Sequence, residues 1–450
     1  MKKGLYNRFW RWHFYAALFM MPLLITLTIS GIGYLFYNDV EDNLYDDVFF
    51  GKSKVEEKLS IDEGIAKAVE ENKGYSLSKV IVLDDPYNKR LTLSNEEGDQ
   101  KYLFLDENNQ IVGDQNAAYT FSNIMRNLHS SLFVGGTVVN YLVELAACWA
   151  IFLLISGVYM SLKGNALRKK QDSTKNQRNK KYHALTGIII TIPMIAIIFT
   201  GLPWSAFMGN FIYSASQEHP SIGFPVLAQQ PPTSESSEVP WATRKNEAPS
   251  SDDPHAHHNG HGMTTANSKT IKVEQLMKSA QEAKIAKPYS IVLPQAEDEV
   301  YTVAKSSNTG ITGLDVSPAA EVTAYFDQYS GKLLGKVGYD EYGILAKWFT
   351  WGIPLHEGHL FGWPNKIINL AVCLGFLLVL YWGVKTWLTR KKASLFSAPP
   401  KTTARVSISF IAIMAVLGII MPLFGISLII ALLLEGILTA AKRKQITANH

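Results

Sequence analysis

The chain has 450 residues, of which 47% are hydrophobic and 18% charged, with a formal net charge of +4. That charged fraction is below the roughly 25% of an ordinary soluble domain, and the deficit sits in four stretches, 14–37, 138–162, 184–207 and 367–387, that carry almost no ionisable group. Each has about the 20 residues a helix needs to cross a bilayer, which excludes a soluble enzyme and predicts a polytopic α-helical membrane protein.

Positive charge orients it. Lys and Arg cluster at Lys2–Arg11, Lys163–Lys181, Arg390–Arg405 and Lys442–Lys444, and short basic loops stay on the cytoplasmic side. Both termini are therefore expected inside, with the long segments 38–125 and 208–346 exported. The first span, within residues 1–37, has the basic flank of a signal peptide. Its apolar run is too long and no small-residue cleavage pattern follows, so it reads as an uncleaved anchor. Topology accounts for the basic residues, so nothing supports a nucleic-acid partner; membrane lipid is the expected surrounding. The only cysteines, Cys148 and Cys373, lie in apolar spans, which excludes a disulfide framework in the exported segments.

In chain order, the first exported segment (38–125) opens its helix with a Ser60/Glu63 capping box. IDEGIAKAVEE then places Ile61, Ile65, Ala68 and Val69 on one face. The runs LSKVIVL, KRLTLS and KYLFLD read as strands bounded by turn residues. An amphipathic lead-in and span 2 (126–162), a basic loop (163–182) and span 3 (183–207) follow. Within 208–346, the Pro-, Ser-, Glu- and His-rich stretch 229–267 buries too little apolar surface to fold. A second helix, IKVEQLMKSAQEAK, and strands YSIVL, EVYTVAK, EVTAYFD and KLLGKV complete a domain at 270–340. Each exported unit is expected to be one helix on a three- or four-stranded antiparallel sheet, with equivalent turns at Asp106–Gln110 and Asp327–Gly331. A lead-in and span 4 (347–390) precede residues 391–450, read as a helical hairpin turning near Pro422 and Gly425 plus a cytoplasmic tail, with one long tilted helix as the alternative.

The chain repeats itself. RWHFYAALFMMPLLITLTISG aligns with KYHALTGIIITIPMIAIIFTG, so that His13 precedes Gly31, and His183 precedes Gly201, by the same eighteen residues. NLHSSLFVGG likewise matches PLHEGHLFGW. The expected fold is therefore an internal duplication of helix, exported α+β domain, lead-in and helix, with sites at the repeat interface.

Four of the 11 histidines stand at repeat-equivalent span ends. His13 and His183 form an expected inner pair; His129 and His356 form an outer one. Ionisable residues at membrane depth mark function, and facing imidazoles from neighbouring helices suit a low-spin haem with both axial positions filled. Arg8 and Arg11 beside the inner pair, and Arg126 near the outer one, are candidate partners for haem propionates. His359, three residues after His356, shares its face if that segment is helical, so either is a candidate outer ligand. Copper or zinc alone lacks a carboxylate or thiolate to complete its shell. His255, His257, His258 and His261 in the linker form a possible metal-scavenging tract with no counterpart in the first repeat. Glu144 and Glu435, inside apolar stretches, read as buried acids or helix–helix hydrogen bonds.

The Arg11-Trp12-His13 opening of span 1, the two helix-plus-sheet units with turns such as YFDQYSGKLLG, and the LH before spans 2 and 4 resemble the PepSY-associated transmembrane proteins. That family includes iron-regulated inner-membrane proteins and ferric-siderophore reductases, and the likeness covers nearly all of residues 1–390. It implies two PepSY-like domains outside a bacterial cytoplasmic membrane. It further implies a core of two bis-His haem b groups, with axial positions on His13, His183, His129 and His356. The implied substrate is a ferric siderophore or other ferric chelate on the outer side. No nicotinamide or flavin fingerprint is present, so the expected electron donor is a protein or a quinol. The competing expectation is a non-catalytic PepSY-type regulator or inhibitor of an exported peptidase.

Overall fold

The computed structural model describes residues 2–164, 166–167, 174–219, 221–223, 270–296, 299–307, 316–389, 399 and 408–448. In chain order the helices and strands begin with α1 (Lys2–Leu35), α2 (Tyr37–Leu44), α3 (Asp46–Phe49) and α4 (Ile61–Glu71). Strands β1 (Ser76–Val82), β2 (Lys89–Ser94), β3 (Gln100–Leu105) and β4 (Ile111–Asn116) follow, then α5 (Phe121–Ser131), α6 (Thr137–Lys163), α7 (Lys175–Gly201) and α8 (Met208–Glu218). The second half has α9 (Val273–Glu282), β5 (Tyr289–Val292), β6 (Val300–Lys305), β7 (Val322–Asp327) and β8 (Leu333–Gly338). It closes with α10 (Ile344–Glu357), α11 (Trp363–Leu388), α12 (Ile408–Ile420) and α13 (Pro422–Ala448).

Two compact units result. One comprises Met1–Ile32, Asn127–Tyr213 and Ile367–His450; the other comprises Gly33–Arg126 and Ser214–Lys366. The first is the membrane unit. Among the described residues, α1, α6, α7 and α11 are long and apolar enough to cross a membrane. The helix α6 is apolar all round, as a helix enclosed by others must be, and buries Ala146, Cys148, Trp149, Phe152 and Ser156. Around it aromatic rings interlock: Phe9 of α1 lies 5.0 Å from Phe410 of α12, and Trp149 lies 4.6 Å from Phe424 of α13, within the usual range for aromatic pairs. The Trp149 indole also donates to Ser427 Oγ at 3.1 Å.

Between α12 and α13 the chain turns sharply at Met421–Pro422. A Cβ on Gly418 would lie 3.1 Å from the Gly425 Cα, whereas seven residues of continuous helix rise about 10 Å. The apolar arms, Ile408–Ile420 and Pro422–Leu434, are each about 20 Å long and do not reach across a hydrocarbon layer of about 30 Å.

The second unit is built on a single sheet. The sequence suggests two small separate domains; the structure joins their strands as one eight-stranded sheet of order β4-β3-β2-β1-β5-β6-β7-β8, antiparallel throughout. The joint pairs Val80 with Ile291 and Val82 with Tyr289. Five consecutive residues of β1, Ser78–Val82, are buried, the continuous run of a strand covered on both faces rather than the alternation of one with a solvated face.

Both α4 and α9 lie over the same apolar core, contributing Ile61 and Ala68, and Val273, Leu276 and Ala280. The capping box of α4 is present: Ser60 Oγ accepts from the Glu63 amide, and Glu63 Oε2 accepts from the Ser60 amide at 2.7 Å. Gly64 is required there, since a Cβ would sit 2.4 Å from the Asn109 carbonyl oxygen. The two Asp turns share one device. Asp106 Oδ1 accepts from the amides of Asn108 and Gln110, Asp327 Oδ1 from those of Tyr329 and Ser330, and Asn109 and Gly331 take the left-handed backbone that closes each turn.

Candidate functional site

The helix α7 starts at a Thr174/Gln177 capping box, and Asn176 ties it to α11 by donating to the Thr386 carbonyl and to Thr389 Oγ1, both at 2.9 Å. Two turns on, His183 donates from Nδ1 to the Val379 carbonyl of α11 at 2.9 Å. From α1, His13 directs Nδ1 at Ser156 Oγ of α6 at 2.9 Å, and Ser156 Oγ donates in turn to the Leu153 carbonyl at 3.2 Å. The His13 and His183 ring centroids are then 6.2 Å apart, with the planes at 85°.

That separation tests the chemistry. With a metal–nitrogen bond of about 2 Å and a ring nitrogen about 1.1 Å from its ring centre, imidazoles on opposite sides of one metal have centroids about 6 Å apart. A carbonyl oxygen only accepts, and the Ser156 hydroxyl already donates to Leu153, so Nδ1 of each ring carries the proton and, in the neutral imidazole, Nε2 carries the lone pair. Among the described residues there is no cluster of three or more His, Cys, Asp or Glu able to hold a metal ion. The donor set is a pair of imidazoles, which suits a metal whose other positions a macrocycle already fills.

Aromatic pairs flank the neighbours of His13. Trp12 stacks on Trp149 at 6.2 Å and 4°, and Phe14 lies edge-on to Trp387 at 6.4 Å. Arg11 is engaged elsewhere: its guanidinium donates to the Pro399 carbonyl at 2.7 Å and to the Tyr15 hydroxyl at 3.2 Å. Arg8 is half-buried on α1.

His129 stands near the end of α5, not within a span. It also has its Nδ1 on a helix carbonyl, that of Leu27 on α1 at 2.9 Å, with Ser30 Oγ at 3.1 Å. Leu27 is fourteen residues beyond His13 on α1, about 21 Å along a helix rising 1.5 Å per residue. Arg126, on the same α5, donates to Asn123 Oδ1.

His356 and His359 belong to the sheet unit. His356 is in the last turn of α10, whereas Gly358 takes a left-handed φ of 83° and ends the helix. The helical face that the spacing suggested for the two therefore does not form. His359 lies past the cap, where its amide bonds to the Pro354 carbonyl and its Nε2 lies 3.5 Å from Glu357 Oε2. The linker histidines His255, His257, His258 and His261 lie outside the described residues.

One functional contact has little sequence signal. Glu144, buried in α6, accepts from the amides of Phe207 and Met208 at 2.8 and 3.1 Å and so caps α8. This is the hydrogen-bonded acid that its apolar surroundings imply, but the partners are backbone groups, which no side-chain pattern identifies. Glu435 lies on α13.

No curated protein matches the chain. The model of the PepSY-associated TM region matches residues 10–390, and with four membrane-spanning helices and the sheet unit in place, the chain belongs to the PepSY-associated TM region family.

Proposed function

We propose that this protein is a duplicated di-haem b electron-transfer protein of a bacterial cytoplasmic membrane. Both termini face the cytoplasm, the sheet unit is exported, and the substrate is a ferric siderophore or similar ferric chelate on the outer side. The observation that carries the reading is the pair His13 and His183, 6.2 Å apart with both Nδ1 atoms engaged by neighbouring helices. When bound there, haem supplies one-electron redox chemistry. The chain's own part is to hold the imidazoles. Ser156, itself bonded to the Leu153 carbonyl, fixes one ring and the Val379 carbonyl fixes the other. His129 has a ring held in the same manner. The partner that the repeat assigns to it, His356 or His359, is in the other unit, so the second haem rests on the repeat pattern.

The test is spectroscopic. Purified protein, as isolated or after addition of hemin, is expected to show a Soret band and an α-band that sharpens on dithionite reduction. The reduced form should then be reoxidised by a ferric hydroxamate chelate. Protein that stays colourless after hemin addition would defeat the proposal and favour the peptidase-regulator alternative.

A further inference from the structure

Three histidines dock on their neighbouring helices by one local pattern. His129 meets Leu27, Ser30 and Gly31 of α1; His13 meets Leu153, Ser156 and Gly157 of α6. Both segments read Leu-x-x-Ser-Gly. His183 meets Val379 and Gly383 of α11, at the same four-residue spacing. His129 and His183 engage the carbonyl of residue i directly and His13 reaches it through Ser156; in each, the ring edge lies over the glycine at i+4.

The physical reason is the helix itself. Residues i and i+4 are stacked on one face, so a side chain at i+4 shields the carbonyl of residue i. Its absence uncovers the carbonyl's second lone pair, which the intrahelical bond leaves unused. A Cβ at Gly31 or Gly383 would lie 3.4 Å from the Cε1 of His129 or His183, and one at Gly157 would lie 3.5 Å from that of His13. A methyl group there just fits and a branched side chain does not. The serines strengthen the arrangement. Ser30 donates to the Thr26 carbonyl at 2.8 Å and Ser156 to the Leu153 carbonyl at 3.2 Å, so each hydroxyl keeps a lone pair for the imidazole N–H. A fourth copy, Ile197-x-x-Thr200-Gly201, has the same internal bond, Thr200 Oγ1 to the Ile197 carbonyl at 2.9 Å.

We propose that these Leu/Val-x-x-Ser/Trp-Gly segments are histidine-positioning ledges, which hold His13, His129 and His183 in the Nδ1–H tautomer and thereby commit Nε2 as the ligating atom. The link to ligation rests on the haem reading above; the docking and the tautomer do not. Gly157, Gly383, Gly31, Ser156 and Ser30 are the positioning residues.

The experiment is nitrogen NMR on the full chain, labelled with 15N-histidine, in detergent and without haem. Resonances are assigned by single His→Asn variants, and hemin titration is run in parallel. The expected spectrum has three Nδ1–H imidazoles, at His13, His129 and His183, a tautomer that is the minor one in water. Gly157→Val and Gly383→Val should convert the signal of the displaced histidine and lower hemin uptake by one per chain. Gly157→Ala, whose methyl group would lie 3.5 Å from the His13 Cε1, should change both less than Gly157→Val does. Ser156→Ala should keep hemin but raise its midpoint potential, because a ligand whose Nδ1–H bond is weakened is a poorer donor to ferric iron. Elution as a single species with unchanged helical circular dichroism shows that the valine variants fold. Three Nε2–H signals in the parent chain, or valine variants that change neither signals nor uptake, would overturn the proposal. A parent chain showing three Nδ1–H signals that takes up no hemin would uphold the ledges while ending the haem reading.

Discussion

The membrane unit and the sheet unit both bury polar side chains, and they satisfy them differently. In the sheet unit polar groups hold turns and loops. Asp106 and Asp327 hold their own turns, and Asn88 bonds the carbonyls of Val48 and Gly51. In the membrane unit the polar groups reach from one helix to the next. His13 reaches α6, His183 reaches α11, His129 reaches α1, and Glu144 reaches the start of α8. A buried polar group without a partner costs more in hydrocarbon than near water, so such bonds fix the packing of helices that are otherwise uniformly greasy. The docked imidazoles of His13 and His183 each present a second nitrogen, and that is where ligand chemistry can be built.

Breaking the comparison on the membrane side should have the largest effect. His13→Ala and His183→Ala should each remove one and the same haem, halving the haem per chain measured as the pyridine haemochrome. A double variant should lose no more than either single one. If the two singles remove different haems, the inner pair is not a pair. Glu144→Ala comes next. It leaves the amides of Phe207 and Met208 without their acceptor, at about 1–3 kcal/mol, and amide exchange of Met208–Glu218 should speed up by roughly tenfold or more. Glu144→Gln retains one carbonyl oxygen and should show a smaller change.

Much of this was legible in the sequence, and the omissions have physical causes. The four spans show because apolar length is an unambiguous signal. The eight strands show less evenly. β4, Ile111–Asn116, reads IVGDQN, and as an edge strand with mostly half-exposed or exposed residues it has no apolar alternation to detect. The joining of two four-stranded halves through β1 and β5 was not legible, since backbone pairing leaves no mark beyond the buried run of β1 itself. At the candidate site, His13, His129 and His183 stood out through the repeat, but the acceptors that orient them are backbone carbonyls. Their only trace is a glycine four residues on.

One helix cap joins the two halves of the sheet unit. The helix α9 has no side-chain cap of its own at Lys272; instead Asp62, on α4 of the other half, accepts from the amides of Val273 and Glu274 at 2.7 and 3.1 Å. Asp62→Ala should cost about 1 kcal/mol, read as a roughly fivefold loss of exchange protection in Val273–Glu282. If protection falls equally in α4, the carboxylate serves its own helix and the halves are not coupled there.

The smallest expected effect is a pH dependence. Glu41, buried on α2, accepts from the Ser122 amide at 2.7 Å, yet burial raises its carboxyl above the ordinary value of 4.5, outweighing that hydrogen bond and the nearby charge of Arg90. The folded state therefore keeps a proton at pH values where the unfolded chain has released it. Stability then falls as pH rises from about 4.5 through the raised value, and above that value the full penalty of burying the anion remains. Glu41→Gln cannot titrate and still offers a carbonyl to Ser122. Urea unfolding followed by tyrosine near-UV circular dichroism, between about pH 4.5 and pH 7, should give the variant a flatter stability profile that crosses above the parent at the neutral end. Parallel profiles would mean that the Ser122 bond, not burial, governs this acid, and that the sheet unit's polar groups close as completely here as they do at Asp106 and Asp327.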